Sequence, residues 1–368
     1  MERRAFLNTA GRAAAAAALA TVSYPGRSTR AQARFRWRLA HSFGQRAPIL
    51  STHLPRMADA LREMSKGQLD LSIYGVGELV PALGLFDAVK EGSIQMMYSA
   101  SYYWAGKLPA AQFTCSVPFG MTAQQANAWF HFGGGLEVWN EVYARQGLIA
   151  FVAGNTGMEL GGWFRREMRG VEDLRGLKMR ITGLGGRVME QVGATAVLLP
   201  GPEIEQALQR GVIDACEWVG PYYDLQMGLH RAAPYCYTPG WHQPATANEL
   251  TINLAAWKTL PRELQLMVEY TAHHLNTVTL AEFEARNAEA LRQIAAAGRV
   301  AFRTFPPDVL RALHAAAERV TQQVAESDAD ARRVYESYRA FRDRAREWQR
   351  LGEAAYHKAL EAVGTVRS

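Results

Sequence analysis

The stretch GLKMRITGLGGRVMEQVGATAVLLPGPEIEQALQRGVIDACEW, residues 176–218, decides the fold. GLKMRITG reads as a short strand. GGRVMEQVGATAVLL is a helix feeding a second strand, and PEIEQALQRGVIDACEWV is a helix feeding a third. Strands alternating with helices in this way call for a sheet with helical crossovers. The same order occurs upstream. RFRWRLAHSF (34–43) alternates like a strand, ILSTHLPRMADALREMSKG (49–67) carries helical spacing and ends on glycine, and QLDLSIYG alternates again. GELVPALGLFDAVKEGSIQMMYSAS then reads as helix, glycine turn and strand, and LIAFVAGNTGMELGGWF as two strands joined through a polar loop. The pattern thus appears twice, with the second copy starting near residue 155. Two similar α/β halves imply a cleft between them, a common place for a ligand.

From AAWKTLPRELQ onward the chain is mostly helical. Its last long helix carries Val334, Tyr338, Phe341, Ala345, Trp348, Gly352, Ala355, Ala359 and Ala362 at a 4-3 spacing, a thin apolar stripe on a charged rod. Such a helix either lies back on its own body or packs against a second subunit, and the thin seam on so long a helix favours a homodimer.

The 368 residues suffice for two domains, with 48% hydrophobic and 21% charged residues, an ordinary globular balance. The net charge of +6 is concentrated at the start, where Arg3, Arg4, Arg12, Arg27 and Arg30 face Glu2 alone. Removing these from 41 basic and 35 acidic residues leaves a net of +2, and no basic tract with interleaved aromatics precedes the last helix, so nucleic-acid binding is disfavoured. The arginine pair, followed by Phe6-Leu7 and an alanine-rich run, has the form of a twin-arginine export signal over residues 1–33, with TRAQA (29–33) as the cleavage site. No later segment is long and apolar enough to span a bilayer. Cys115, Cys216 and Cys236 are an odd count that implies no disulfide framework and is better read as buried thiols.

GxSxG, P-loop, HExxH and CxxC signatures are absent. His41, His53, His230 and His242 are scattered singly. Arg180, at an apolar strand end, needs an anion, and its planar fork suits a carboxylate. Its plain alternative is an edge-strand arginine bonded to a neighbouring acid. DACEWVGPYYDL (214–225) raises a related question, because Glu217 beside Trp218 needs a cation, an arginine or water. GNTGMELGGWF offers Asn155 and Glu159, and TPGWHQPATANEL offers Trp241, Gln243 and Glu249. Two carboxylates, an amide oxygen and a backbone carbonyl would form an all-oxygen site for a hard cation such as Ca²⁺ or Na⁺.

These motifs, with VPFGM and AAWKTLP, resemble the extracytoplasmic solute receptors of tripartite ATP-independent periplasmic (TRAP) transporters, from about Trp37 to Phe283. The closer match is to the branch that binds 2-oxo and 2-hydroxy acids together with a metal ion. The resemblance implies an α/β, type II-like two-lobed periplasmic binding protein: lobe I over 34–154, completed by 247–325, lobe II over 155–246, and a long C-terminal helix over 326–368. It also implies that Arg180 pairs with the substrate carboxylate, that Glu217 holds the metal, and that Trp218 lends its backbone oxygen. Glu159 stands where relatives carry Gln, and Gln243 where they carry Glu, so two ligand types are exchanged while the cage charge is kept. Tyr103 and Asn155 fall at cleft-lining positions, and Phe119 at a pocket wall or a core site. The implied partners are a small monocarboxylate, bound through a Na⁺ or Ca²⁺ ion, and the membrane permease, and the implied place is the periplasm. The alternative from another class is an exported metal-dependent lyase or hydrolase acting on oxo acids. It needs an acid or base near the metal, and His242 adjoins a proposed ligand. A receptor serving a signalling partner instead of a permease is a third reading.

Overall fold

A computed structural model describes residues 34–44 and 47–364. The export signal falls outside them. Eleven strands form two sheets among the described residues. In chain order they are β1 (Phe35–His41), β2 (Leu69–Tyr74), β3 (Met96–Ser99), β4 (Leu148–Asn155), β5 (Gly162–Phe164), β6 (Lys178–Arg180), β7 (Thr195–Val197), β8 (Ala215–Cys216), β9 (Tyr235–Thr238), β10 (Ala247–Asn253) and β11 (Ala301–Thr304).

The first sheet runs β2-β1-β3-β10-β4, with β1 parallel to β2 and β3, and β10 antiparallel to both of its neighbours. The second runs β11-β9-β5-β8-β6-β7. Helices cover the sheets, as the crossover pattern requires, and the central strands are buried on both faces; every residue of β3 and β10 is buried.

Two differences from the sequence reading matter. The strands β4 and β5 do not pair with each other but lie in different sheets, so residues 156–161 cross between lobes. The segment 247–325 is likewise shared, because β10 joins the first sheet and β11, absent from the sequence reading, pairs with β9 in the second. A short strand inside a helical tail carries too few residues to show a period of two. A second crossing, from β9 to β10, contains residues 239–246.

Helix Arg262–Ala296 has 35 residues, about 50 Å at 1.5 Å per residue, and spans both lobes. Its Thr279 Oγ1 accepts from the Asn155 amide at 3.2 Å, and its Asn287 Oδ1 accepts from the Tyr222 amide at 3.0 Å. Helix Pro307–Ser327 packs on helix Gly183–Gln191 of the second lobe. The next helix, Ala329–Leu351, starts on the Asp328 side chain, which caps the Ala331 amide, and packs on the first lobe. Val334 and Tyr338 of the predicted stripe are buried there, and the Tyr338 hydroxyl accepts from the Met121 amide at 2.8 Å. The long helix is interrupted at Gly352 and resumes over Glu353–Ala362, where Tyr356, like Trp348 and Leu351 before the break, stays exposed. No described helix is long and apolar enough to cross a membrane. All three cysteines are free and buried, as the odd count implied.

Glu249 is fully buried within β10, where the Tyr143 hydroxyl reaches both carboxylate oxygens at 3.1 Å and the Thr251 hydroxyl also donates. It therefore belongs to the first lobe's core and not to the cleft. Burial pushes its pKa to about 8 from 4.5. The folded chain keeps a proton that the unfolded chain releases, so the linked stability is complete below pH 4.5 and fades as pH rises through 8. The loss at pH 7 is at most roughly 3 kcal/mol. Glu249→Gln is expected to lose less melting temperature between pH 5 and pH 8 than the parent; parallel thermal melts of the two proteins would contradict a buried neutral acid.

Candidate functional site

The ends of β6 and β8 lie side by side, with Arg180 opposite Cys216. This register brings Arg180 against Glu217, the first residue past β8. Arg180 Nη1 donates to Glu217 Oε1 at 2.5 Å and approaches the Glu217 carbonyl at 3.3 Å, while Nε donates to the Leu199 carbonyl at 3.1 Å. Both side chains are 1% exposed. The guanidinium lies 4.8 Å from the centre of the Trp218 ring, and a side chain at Gly201 would collide with that ring. The third guanidinium nitrogen, Nη2, has no partner.

The two lobe crossings supply the rest. Thr156 and Thr246 tie them together: the Thr156 amide donates to the Thr246 carbonyl at 3.1 Å, and the Thr246 amide donates to Thr156 Oγ1 at 3.0 Å. Their hydroxyls hold one side of Glu159, donating to Oε1 at 2.9 and 2.8 Å. Oε2 of Glu159 has no hydrogen-bond partner. Gly240 packs so tightly on the Glu159 backbone that no side chain fits at that position. Gln243 donates to Thr182 Oγ1 at 3.0 Å, and its Oε1 lies 3.2 Å from Thr246 Oγ1.

His242, left among the scattered histidines by the sequence, proves central. It is fully buried, with Nε2 at 3.6 Å from Glu159 Oε2 and 3.7 Å from Glu217 Oε2. Burial alone would lower its pKa, but the two facing carboxylates raise it to about 9. Burial also raises Glu159, to about 6, against the pull of His242. Arg180 is held up by Glu217 in spite of its burial.

The structure places Arg180, Glu217, Trp218, Glu159 and Gln243 near one another, with His242 among them. Tyr103 is half-buried in the turn Ser101–Trp104, close enough for Arg180 and Glu217 to act on its hydroxyl, which burial raises. Its neighbour Tyr102, which sequence reasoning did not single out, feels the same two charges. Asn155 is fully buried at the end of β4; its Oδ1 accepts from the Gly157 amide at 2.9 Å and its Nδ2 has no partner. Phe119 tilts against Trp241, and its amide donates to the Trp241 carbonyl at 2.7 Å, so it braces the crossing. A cavity of about 380 Å³ opens between the lobes beside Trp218, with Phe43, Pro48, Pro202, Tyr223 and Met227 on its walls.

Several buried polar atoms gather here without a hydrogen-bond partner: Arg180 Nη2, Glu159 Oε2, both His242 ring nitrogens and Trp218 Nε1. Such atoms are costly unless a ligand meets them. Glu159, Glu217 and His242 each offer one ligand atom within 4.8 Å of the others. That donor set, with the free Nη2 of the Arg180 guanidinium beside it, fits a cation and an anion bound together.

Comparison with known proteins agrees. Residues 39–328 match the family described as bacterial extracellular solute-binding protein, family 7 (DctP). The chain is 40% identical to the monocarboxylate 2-oxoacid-binding periplasmic protein of Nostoc sp. over 361 residues, 97% of this chain and 98% of the relative. A TRAP periplasmic solute-binding protein of Pseudoalteromonas atlantica, solved with sodium and pyruvate, is 39% identical with a TM-score of 0.85, covering 88% of this chain and 98% of its own. That of Colwellia psychrerythraea, solved with calcium and pyruvate, is 38% identical with a TM-score of 0.86, covering 88% and 99%. The α/β architecture and the resemblance read in the sequence agree with these matches, and the chain belongs to the DctP family of TRAP periplasmic solute-binding proteins.

Proposed function

We propose that this protein binds a small 2-oxo or 2-hydroxy monocarboxylate together with a cation in the periplasm and delivers it to a TRAP membrane permease. The observation that carries this reading is the convergence of unpartnered buried donors and acceptors on the space beside Arg180 and Glu217. Relatives at 38 and 39% identity, solved with pyruvate and calcium or sodium, support it.

Arg180 binds the ligand carboxylate through Nη2, while Nη1 stays on Glu217 and fixes the plane of the fork. Glu217, Glu159, the Gln243 amide oxygen and the Trp218 backbone oxygen hold the cation, and Gln243 also ties the crossing to Thr182 and Thr246. A bound cation supplies the positive charge that lets two buried carboxylates remain ionised beside an anion. Tyr103 and Asn155 line the cleft. Selectivity for an oxygen next to the carboxylate follows, because an acid lacking it leaves a buried position unpaired. Closure occurs about the two crossings, which carry Glu159 and Gln243. Export uses the paired Arg3 and Arg4.

The enzyme alternative gains no support, because the family consists of solute receptors. Titration calorimetry with pyruvate and Ca²⁺ should show stoichiometric binding, with pyruvate recovered unchanged by chromatography; turnover would overturn the receptor reading. Arg180→Lys keeps the charge and removes the fork, so pyruvate affinity should fall about 10- to 100-fold with little change in melting temperature. Unchanged affinity would remove Arg180 from the site. Glu217→Gln should weaken pyruvate binding mainly when Ca²⁺ is present; equal loss with and without chelator would contradict a cation role.

The exposed Trp348, Leu351 and Tyr356 further support a homodimer through the C-terminal helix. Trp348→Glu combined with Leu351→Glu leaves the buried part of that helix intact and should give a monomer in sedimentation; a dimer that persists would place the interface elsewhere.

A further inference from the structure

His242 has no role in a cage built only from oxygen. Its ring is fully buried, neither nitrogen has a hydrogen-bond partner, and Nε2 faces the Oε2 atoms of Glu159 and Glu217 at 3.6 and 3.7 Å. Two atoms that share an ion about 2.1 Å away lie roughly 3.0–3.4 Å apart, so each carboxylate needs to close on Nε2 by only a few tenths of an ångström, and the three ligand atoms already lie within 4.8 Å of one another. The ring is also held in place. Gly185 packs against the His242 Cβ, Phe119 donates to the preceding carbonyl at 2.7 Å, and the Trp241 amide donates to the Pro239 carbonyl at 2.9 Å. A ring nitrogen aimed between two carboxylates, in ion-pair range of both but too far for a hydrogen bond of normal length to either, is an arrangement that a shared metal ion fits.

We infer that His242 Nε2 is a ligand of the cation and gives this site a preference for a divalent first-row transition ion, such as Zn²⁺ or Mn²⁺, over Ca²⁺ and Na⁺. The inference rests on the reading of a cation bound together with an oxo acid. Imidazole nitrogen suits such transition ions, whereas Ca²⁺ takes oxygen ligands almost exclusively. Charge argues separately against Na⁺. A bound ion displaces the proton that the two carboxylates otherwise keep on the ring, so the ligand imidazole is neutral and the Arg180 guanidinium faces two carboxylates and a monoanionic substrate. A divalent ion brings that buried set to neutrality, and Na⁺ leaves it with one uncompensated negative charge. The relatives solved with sodium or calcium define the hard-ion behaviour from which this chain would depart.

The purified protein, stripped with a chelator and dialysed, is titrated separately with ZnCl₂, MnCl₂ and CaCl₂ in a calorimeter. Zn²⁺ should bind at least about 100-fold more tightly than Ca²⁺, and His242→Asn should lose about 10- to 100-fold in Zn²⁺ affinity while changing Ca²⁺ affinity little. Cu²⁺ added as a probe should show nitrogen hyperfine coupling in its electron paramagnetic resonance spectrum, lost in the variant. His242→Gln serves as a second variant, and circular dichroism confirms that both fold. Equal Zn²⁺ and Ca²⁺ affinity in the parent, or unchanged Zn²⁺ affinity and nitrogen coupling in both variants, overturns the role of His242. If pyruvate still binds with Ca²⁺ in that case, the receptor reading stands; if no ion supports pyruvate binding, that reading has failed as well.

Discussion

The ion pair between Arg180 and Glu217 is the constraint on which the rest of the site depends. Both groups are 1% exposed, and taking two charges out of water costs several kcal/mol per ion before their attraction is counted. Apolar residues would fill the same volume at lower cost. Two more ionisable groups, Glu159 and His242, are buried within reach of the same pair. A receptor gains from this arrangement, because a water-poor cleft strengthens every contact to an anion and its cation. The Trp218 ring over the guanidinium, and the glycine at 201 that makes room for it, keep water from the pair on one side.

The topology explains how four groups distant in sequence reach one place. Arg180 and Glu217 come from strand ends in the second sheet, where parallel register sets them side by side. Glu159 and Gln243 come from the two crossings between sheets, which are bonded to each other through Thr156 and Thr246. The long helix 262–296 anchors both lobes through Thr279 and Asn287, and the helices 307–327 and 329–351 form a second strap across them. The proposed binding groups thus sit at the crossings and strand ends, and a ligand that bridged them would favour the closed arrangement.

Much of this was legible in the sequence for physical reasons. The strand–helix alternation of residues 176–218 indicated the α/β class, and an arginine at an apolar strand end called for an anion, which Glu217 supplies in part. Family resemblance supplied Glu159 and Gln243, which no spacing rule would have joined. His242 was not legible, because a single histidine in a Pro-Gly loop carries no signal until the fold places two carboxylates against it. Glu249 misled for the opposite reason: in a sequence a buried neutral acid looks like a ligand, and only its pairing with Tyr143 and Thr251 reveals a core role. β11 was hidden by its helical flanks, and the break at Gly352 by an apolar stripe that continues through it.

The most direct test is a crystal structure of the protein grown with pyruvate and CaCl₂. The account predicts one ligand carboxylate on Arg180 Nη2, and a cation about 2.3–2.6 Å from oxygens of both Glu217 and Glu159. Pyruvate bound elsewhere, or bound at Arg180 with Glu159 and Glu217 contacting no ion, would contradict it.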